Sequence, residues 1–259
     1  MTMDQDRVRI AFRADDAGSC ESANLAIAEA IHAGTVKNVS VMACGPALEH
    51  AAVLLKDRQD IDLGLHVTLN AEWVNVKWSP VLPPKKVPTL LETGSGYFTA
   101  SPRILKERGF SLEEATAEAG AQLARARSLG LKIAYIDEHM GVGNLPGLRT
   151  ALRELAYREG IPHMDLLDLK RLPKTGADGL VDDWLSALRT ASPGTYLVVT
   201  HPGRIAPDMT AFFETGGVPG VIAKERDAER QALAYGSLKT GLDLLGVAAV
   251  RFSDLATTP

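Results

Sequence analysis

The sequence predicts an α/β protein built on a parallel sheet. Segments typical of buried strands alternate about seven times with segments in which apolar residues recur at helical spacing. We find no internal repeat and no linker, and 259 residues suit one large domain over residues 1–259. Either a (β/α) barrel or an open doubly wound sheet satisfies this alternation, and in both folds functional groups collect at the carboxyl ends of the strands.

The first strand is predicted for the alternating stretch that starts at Arg7. It ends on two adjacent carboxylates, Asp15 and Asp16, before a turn at Gly18. The next predicted elements are a helix from Ser19 to Gly34 with Ser19 or Ser22 as its cap, a strand from Val36 to Ala43, a helix from Pro46 to Lys56 and a strand from Asp60 to Leu69.

The stretch at about 71–102 has a different composition. It carries five prolines, two glycines and little periodicity. Long irregular loops in compact domains are usually functional or disordered, and the aromatic residues Trp73, Trp78, Tyr97 and Phe98 argue against disorder. We therefore interpret this Pro-rich excursion as a segment that covers or lines a pocket, or that serves a contact between subunits.

The second half of the chain resumes the alternation. The predicted elements are a helix from Leu112 to Leu129, a strand from Lys132 to His139, a loop from Met140 to Pro146, a helix from Gly147 to Glu159, a short strand from Ile161 to Leu167, a helix from Val181 to Thr190, a strand from Gly194 to Gly203, a long helix from Lys224 to Leu244 and a last strand from Val247 to Phe252.

Composition and charge exclude several classes of protein. The net charge is −4 with no basic cluster, which argues against nucleic acid or anionic lipid as a partner. No apolar run is long enough to span a membrane, and residues 1–6 are polar with no signal core, so we expect a cytoplasmic location. Cys20 and Cys44 do not form a C-x-x-C pair, and we expect two plain thiols in a reducing compartment.

Polar residues at the predicted strand ends indicate a metal-dependent catalytic site. The candidates are Asp15, Asp16, His66, His139 and His201. Two histidine nitrogens and one carboxylate are a usual ligand set for a catalytic divalent metal that keeps one position open for water. Because adjacent strand residues point in opposite directions, we expect one Asp of the pair to bind the metal and the other to act as a base.

The remaining histidines carry no such pattern. His32, His50 and His163 fall in helical or connecting segments, and we interpret them as surface or packing residues.

Four motifs resemble the YdjC-like carbohydrate deacetylases. They are Ala14-Asp15-Asp16-Ala17-Gly18, Gly64-Leu65-His66-Val67-Thr68-Leu69, Tyr135-Ile136-Asp137-Glu138-His139 and Thr200-His201-Pro202-Gly203, with Arg226-Asp-Ala-Glu229 in the late helix also matching. The resemblance implies a barrel-like (β/α) fold of distorted TIM-barrel type and removal of an N-acetyl group from an amino sugar or oligosaccharide.

The resemblance also implies roles for individual residues. Asp16, His66 and His139 would bind one divalent metal ion, with Zn²⁺ and Mg²⁺ among the ions that fit. Asp15 would be the general base, and His201 the general acid or a group that steadies the tetrahedral intermediate. The implied partner is a small carbohydrate, and a homo-oligomer is left open.

The sequence departs from the family at two places, and these departures keep alternative functions open. Ala17 stands where the family has Phe, and Met140-Gly141-Val142-Gly143 stands where further histidines are usual. We therefore expect a roomier and less polar pocket on that side. The alternatives are a metal-dependent hydrolase of another bond, such as a phosphoester or cyclic amide, and a non-catalytic sugar-binding relative.

Overall fold

The computed structural model describes residues 7–255. Residues 1–6, on which the expectation about a signal core rests, lie outside the described residues, as do residues 256–259. Within 7–255 the strands are β1 (Val8–Ala17), β2 (Val36–Val41), β3 (Asp62–Val67), β4 (Ile133–Glu138), β5 (Leu169–Arg171), β6 (Gly194–Thr200) and β7 (Ala248–Ala249). All pairs between these strands are parallel, as the βαβ alternation predicts.

The sheet is curled. Its order is β4-β3-β2-β1-β6-β5, and β7 also pairs with β1. A parallel bridge joins Ile136 of β4 to His163, which precedes β5 at the opposite edge of the sheet. The two edges are therefore drawn toward each other by one short segment, and the sheet has the curvature of a barrel rather than of an open doubly wound sheet.

Helices surround this sheet. They are α1 (Glu21–His32), α2 (Leu48–Leu55), α3 (Pro102–Arg108), α4 (Leu112–Ser128), α5 (Leu148–Arg158), α6 (Leu180–Arg189), α7 (Pro207–Thr210), α8 (Val221–Ala234) and α9 (Ser237–Leu245). The predicted serine cap of α1 is wrong, because the Cys20 sulfur accepts the hydrogen bond from the Ala23 amide. Both Cys20 and Cys44 are free and buried.

Three elements of the second half differ from the prediction. The long helix is two helices, because Gly236 adopts a positive φ of 28° between α8 and α9. The strand predicted from Ile161 to Leu167 is a 3₁₀ turn over Met164–Leu166, with β5 following it. The last strand is only β7, because Arg251 and Asp254 cap a 3₁₀ turn immediately after it.

The Pro-rich excursion is ordered against α4. The Glu118 carboxylate on α4 accepts hydrogen bonds from the Val81 and Leu82 amides at 2.8 and 2.9 Å. The Trp78 indole donates to the Asn70 carbonyl at 2.6 Å, and Phe98 is fully buried. These contacts fix the entrance of the excursion beside the end of β3. No helix within residues 7–255 is long and apolar enough to cross a membrane.

Candidate metal centre

The carboxyl end of β1 presents two buried carboxylates to the same place. Asp16 has a φ of 66°, in the left-handed region that residues other than glycine seldom adopt. This turn breaks the alternation of the strand, so that Asp15 Oδ2 and Asp16 Oδ1 lie 3.8 and 3.7 Å from the same atom, His66 Nε2. The expectation that the neighbouring side chains point in opposite directions is therefore wrong at this position.

Asp16, His66 and His139 meet in one buried cluster. His66 lies within β3 near its carboxyl end, and His139 directly follows β4. His139 Nδ1 lies 3.3 Å from both Asp16 Oδ1 and His66 Nε2. Together with the 3.7 Å contact between His66 and Asp16, these distances form a nearly equilateral triangle of two nitrogens and one oxygen.

This triangle fits a divalent metal ion. Ligands at about 2.1 Å from one ion are about 3.0 to 3.4 Å apart in octahedral or tetrahedral geometry. Asp16 Oδ1 is buried and makes no well-directed hydrogen bond with any side chain or backbone group of residues 7–255. A buried carboxylate oxygen without a donor is unfavourable unless a cation approaches it. The three residues can therefore hold a metal ion.

A second layer of contacts orients His66. Its Nδ1 lies 2.8 Å from Asp137 Oδ1, which leaves Nε2 facing Asp16 and His139. Asp137 Oδ2 in turn accepts from the Ser40 hydroxyl at 2.7 Å and lies 2.8 Å from Arg13 Nη1. Burial alone would raise the pKa of Asp137, but Arg13 and His66 lower the pKa to about 2. Asp137 is therefore ionised whenever the protein is folded at neutral pH.

His139 is oriented from the Pro-rich excursion. Its Nε2 lies 3.1 and 3.2 Å from the two oxygens of Glu72. Burial lowers the pKa of His139, but the nearby carboxylates of Asp16 and Glu72 outweigh this and raise the pKa to about 10. The surrounding carboxylates therefore favour a positive charge at this place, carried either by a protonated His139 or by a metal ion.

Arg226 on α8 holds the other oxygen of Asp16. Its Nη2 donates to Asp16 Oδ2 at 2.8 Å, and its guanidinium lies 5.6 Å from the ring centres of both Trp73 and Phe212. Burial would raise the pKa of Asp16, but Arg226, followed by His139 and His201, holds that pKa well below its usual value. Arg226 therefore keeps Asp16 ionised, with Oδ1 turned toward the two histidines.

Asp15 is held by a different arginine. Arg13 donates from Nε and Nη2 to the two oxygens of Asp15 at 2.5 and 2.6 Å, a bidentate arrangement. Asp15, His66 and Asp137 form a second buried group whose ligand atoms lie close together. Because Arg13 already contacts both carboxylates of this group, the group with Asp16 is the better fit to a cation.

His201 lies at the rim of the same site, directly after β6. Its backbone amide donates to Glu229 Oε2 at 2.5 Å, and its half-buried side chain lines a cleft of about 260 Å³ together with Asp16 and His139. Burial raises the pKa of Glu229. Asp15 and His66 are not among the lining residues and are only 3% and 2% exposed, so they lie beneath the floor of the cleft.

The two departures from the family pattern lie differently with respect to the cleft. Ala17 is fully buried and does not line the cleft, whereas Met140 lines it and is half exposed.

His32, His50 and His163 take no part in the cluster of Asp16, His66 and His139.

Several residues that shape the site had no role assigned from the sequence. Glu72 lies in the excursion, where no periodicity marks it. Arg13, Asp137 and Arg226 lie within or beside the recognised motifs, but only the folded contacts give them partners. The signal that was available for Asp137 is its position two residues before a candidate ligand, at the end of a buried strand.

Comparison with known proteins identifies the family. The sequence profile of the YdjC-like proteins matches residues 9–180, about two thirds of the chain. A carbohydrate deacetylase from Geobacillus stearothermophilus is 30% identical over 203 residues, which cover 74% of this chain and 78% of that protein.

Two solved structures share the fold. A protein from Enterococcus faecalis, named as a cellobiose-phosphate cleavage protein, superimposes with a TM-score of 0.80 at 20% identity over 97% of this chain and 100% of that one. A family 4 carbohydrate esterase from Streptomyces lividans gives 0.50 at 10% identity over 93% and 91% of the two chains. The predicted distorted barrel is thereby confirmed, and the profile match shows that this chain belongs to the YdjC-like protein family.

Proposed function

We propose that this protein is a metal-dependent carbohydrate deacetylase that removes an N-acetyl group from an amino sugar or oligosaccharide. The observation that carries the proposal is the buried triangle of Asp16, His66 and His139 with Asp15 beside it, in a family whose relative from Geobacillus stearothermophilus is named for this activity. The reaction adds water across the amide bond and yields acetate and a free amine.

The proposed ligands are Asp16 Oδ1, His66 Nε2 and His139 Nδ1, because these atoms face one another and their second oxygens or nitrogens have other partners. A divalent ion bound there, with Zn²⁺ and Mg²⁺ as the proposed identities, would polarise the acetyl carbonyl and make the attacking water more acidic.

Asp15 is the proposed general base. It lies 3.8 Å from His66 Nε2, and so beside the proposed ligands, and its two hydrogen bonds from Arg13 fix the orientation of the carboxylate. Fixing a base in this way reduces the cost of bringing it to the attacking water. Asp15 would take the proton that water loses as it attacks the carbonyl carbon.

His201 is the proposed general acid. Its side chain lies on the open rim of the cleft, and Glu229 holds its backbone in place. From this position it would donate a proton to the departing amine nitrogen, which must be protonated before the C–N bond breaks. Asp15 lies in β1 and His201 directly follows β6, so the base and the acid would come from the ends of two neighbouring strands.

Acetate release from N-acetylated amino sugars tests the proposal. We expect Asp16→Ala and His66→Ala to abolish release. Asp15→Asn should lower kcat by roughly 10²- to 10⁴-fold while metal binding is retained. His32→Ala, at the exposed end of α1, is the matched control and should keep full activity. Unchanged rates in the Asp16 and His66 variants would refute the assignment.

The alternatives receive less support. A phosphoester hydrolase usually presents free cations to the phosphate, but Arg226 is the single lysine or arginine among the described residues that line the cleft, and it is bound to Asp16. A non-catalytic sugar-binding relative has no need for a base held as firmly as Asp15. A substrate panel with N-acetyl sugars and phosphoesters separates these alternatives from the deacetylase.

We also propose that residues 1–259 act as one domain in the cytoplasm, on a small carbohydrate and without nucleic acid or membrane as partner. The free, buried Cys20 and Cys44 are consistent with a reducing compartment. A homo-oligomer, with the excursion as a contact, is tested by the mass of the protein in solution.

A further inference from the structure

The cleft above the proposed metal site has an unusual charge balance. Its acidic lining residues are Asp16, Glu72, Glu214, Glu225 and Glu229, whereas the lining within residues 7–255 contributes a single arginine, Arg226, and no lysine. Because Arg226 is bound to Asp16, its charge is already matched. A divalent cation at the site would still leave the lining net negative when its histidines are neutral.

The carboxylates occupy two levels of the cleft. Glu72 and Glu229 lie deeper and are bound to His139 and to the His201 amide. Glu214 and Glu225 are exposed at the mouth, and neither forms an ion pair with a lysine or arginine of residues 7–255. The mouth therefore offers two unmatched negative charges to whatever enters.

The floor of the cleft supplies separate evidence that a cation binds in it. Asp16 Oδ1 is buried and makes no well-directed hydrogen bond with the described residues, and it belongs to the triangle that fits a cation. A cleft with low-dielectric walls concentrates the field of its charges and raises the local concentration of ligands of opposite sign. The carboxylates at the mouth thus act on molecules on their way to the reacting centre.

We propose that the preferred substrate is a cationic amino sugar: an oligosaccharide in which the unit next to the N-acetylated one already carries a free ammonium group. This inference rests on the proposed deacetylase function and specifies its substrate class. The ammonium group is held at the mouth by Glu214 and Glu225. Sugars that carry a phosphate or carboxylate are repelled by the same residues.

Three disaccharides of one linkage test the inference: a neutral one with two N-acetylglucosamine units, a cationic one with glucosamine next to N-acetylglucosamine, and the neutral one carrying a 6-phosphate. The quantity to measure is kcat/KM for acetate release by metal-loaded protein, at low and at high salt. The expected order is cationic, then neutral, then phosphorylated. The differences should shrink at about 0.5 M salt, because added ions screen exposed charges.

Variants at the mouth of the cleft test whether Glu214 and Glu225 cause the preference for the cationic substrate. Glu214→Gln and Glu225→Gln should each reduce the ratio of cationic to neutral kcat/KM by about two- to fivefold, the range for one exposed charge pair. The loss of kcat/KM should be larger for the cationic substrate than for the neutral one. Glu154→Gln, an exposed position on α5 outside the cleft lining, is the control and should leave the ratio unchanged.

The outcomes are distinguishable. If the phosphorylated substrate is turned over as well as the cationic one, or if the mouth variants leave the ratio unchanged, the inference is overturned while the deacetylase function stands. If no disaccharide releases acetate, the proposed function itself fails.

Discussion

His66 Nδ1 lies 2.8 Å from Asp137 Oδ1, on the side of the ring opposite the nitrogen that faces Asp16 and His139. A carboxylate in this position fixes the tautomer and makes the opposite nitrogen a better metal ligand. We therefore expect Asp137→Asn to weaken binding of a divalent metal by about 10- to 100-fold. Titration calorimetry of metal-free protein with Zn²⁺ or Mn²⁺ measures this change.

The control for Asp137 is Asp243→Asn, which removes an exposed carboxylate on α9. It should leave metal affinity unchanged. Equal affinities for Asp137→Asn and the parent protein, in samples with the same circular dichroism spectrum, would show that Asp137 does not act on the metal through His66.

Glu72 is expected to act on His139 in the same way, although it comes from the Pro-rich excursion and not from a strand. Both of its oxygens lie within 3.2 Å of His139 Nε2. Glu72→Gln keeps the size of the side chain but loses the charge and one acceptor, and we expect metal affinity to fall about tenfold.

Glu225→Gln distinguishes the effect of the contact between Glu72 and His139 from the effect of the net charge of the cleft. It removes the same charge from the same cleft, but Glu225 makes no hydrogen bond to a histidine among the described residues. We expect a much smaller loss of metal affinity than for Glu72→Gln. Similar losses in the two variants would mean that only the net charge of the cleft matters, and that Glu72 does not orient His139.

The sequence could locate the strand ends but not the contacts around them. Asp16, His66 and His139 each stand at or beside the end of a buried strand, where the parallel topology alone brings them to one edge. Arg226 is 210 positions from Asp16, and no local pattern shows that α8 returns to the end of β1. Such contacts depend on tertiary packing, which periodicity does not encode.

The backbone conformation of Asp16 shows a second limit of prediction from the sequence. Strand alternation predicts opposite directions for Asp15 and Asp16, but the positive φ of 66° at Asp16 overrides it. Asp tolerates this conformation better than most residues, so the sequence permits it without requiring it. The helix break at Gly236 is similar, since an isolated glycine in a helical pattern is often tolerated within the helix.

Gly64 of β3 packs closely against Tyr135 of β4, and we expect this contact to limit which residues the position of Gly64 tolerates. A Cβ at Gly64 would lie 2.0 Å from the ring of Tyr135, which is fully buried and within 3.0 Å of the Ser40 hydroxyl. We expect Gly64→Ala to lower the free energy of unfolding by about 1–3 kcal/mol, because Tyr135 cannot move away without disturbing its neighbours. Urea denaturation measures the change.

Gly120→Ala is the matched control for this substitution. Gly120 lies inside α4, and nothing lies within 4 Å of its added Cβ. Alanine in a helix interior should raise stability by about 0.5–1 kcal/mol. The two variants are thus expected to shift the urea midpoint in opposite directions, and a downward shift for both would contradict the packing argument.

His163 gives a prediction about pH. Its Nδ1 lies 2.7 Å from Asp165 Oδ1, and its Nε2 lies 3.4 Å from Glu138 Oε1. Burial lowers the pKa of His163, but the two carboxylates outweigh it and raise the pKa above its ordinary value of about 6.5. The charged ring therefore stabilises the folded protein fully below about pH 6.5, and this contribution is lost as the pH rises through the raised pKa.

The groups around His163 keep their charges over this range. The pKa values of Glu138 and Asp165 are lowered: burial opposes this shift for both, and His163 and the neighbouring arginines Arg149 and Arg153 outweigh it. We therefore expect His163→Asn to lower the melting temperature more at about pH 6 than at about pH 9, with chelator present to keep metal from the site. His32→Asn, at an exposed position, should show the same small difference at both pH values. A larger penalty for His163→Asn at high pH would reverse the sign and show that the ring is neutral in the folded protein.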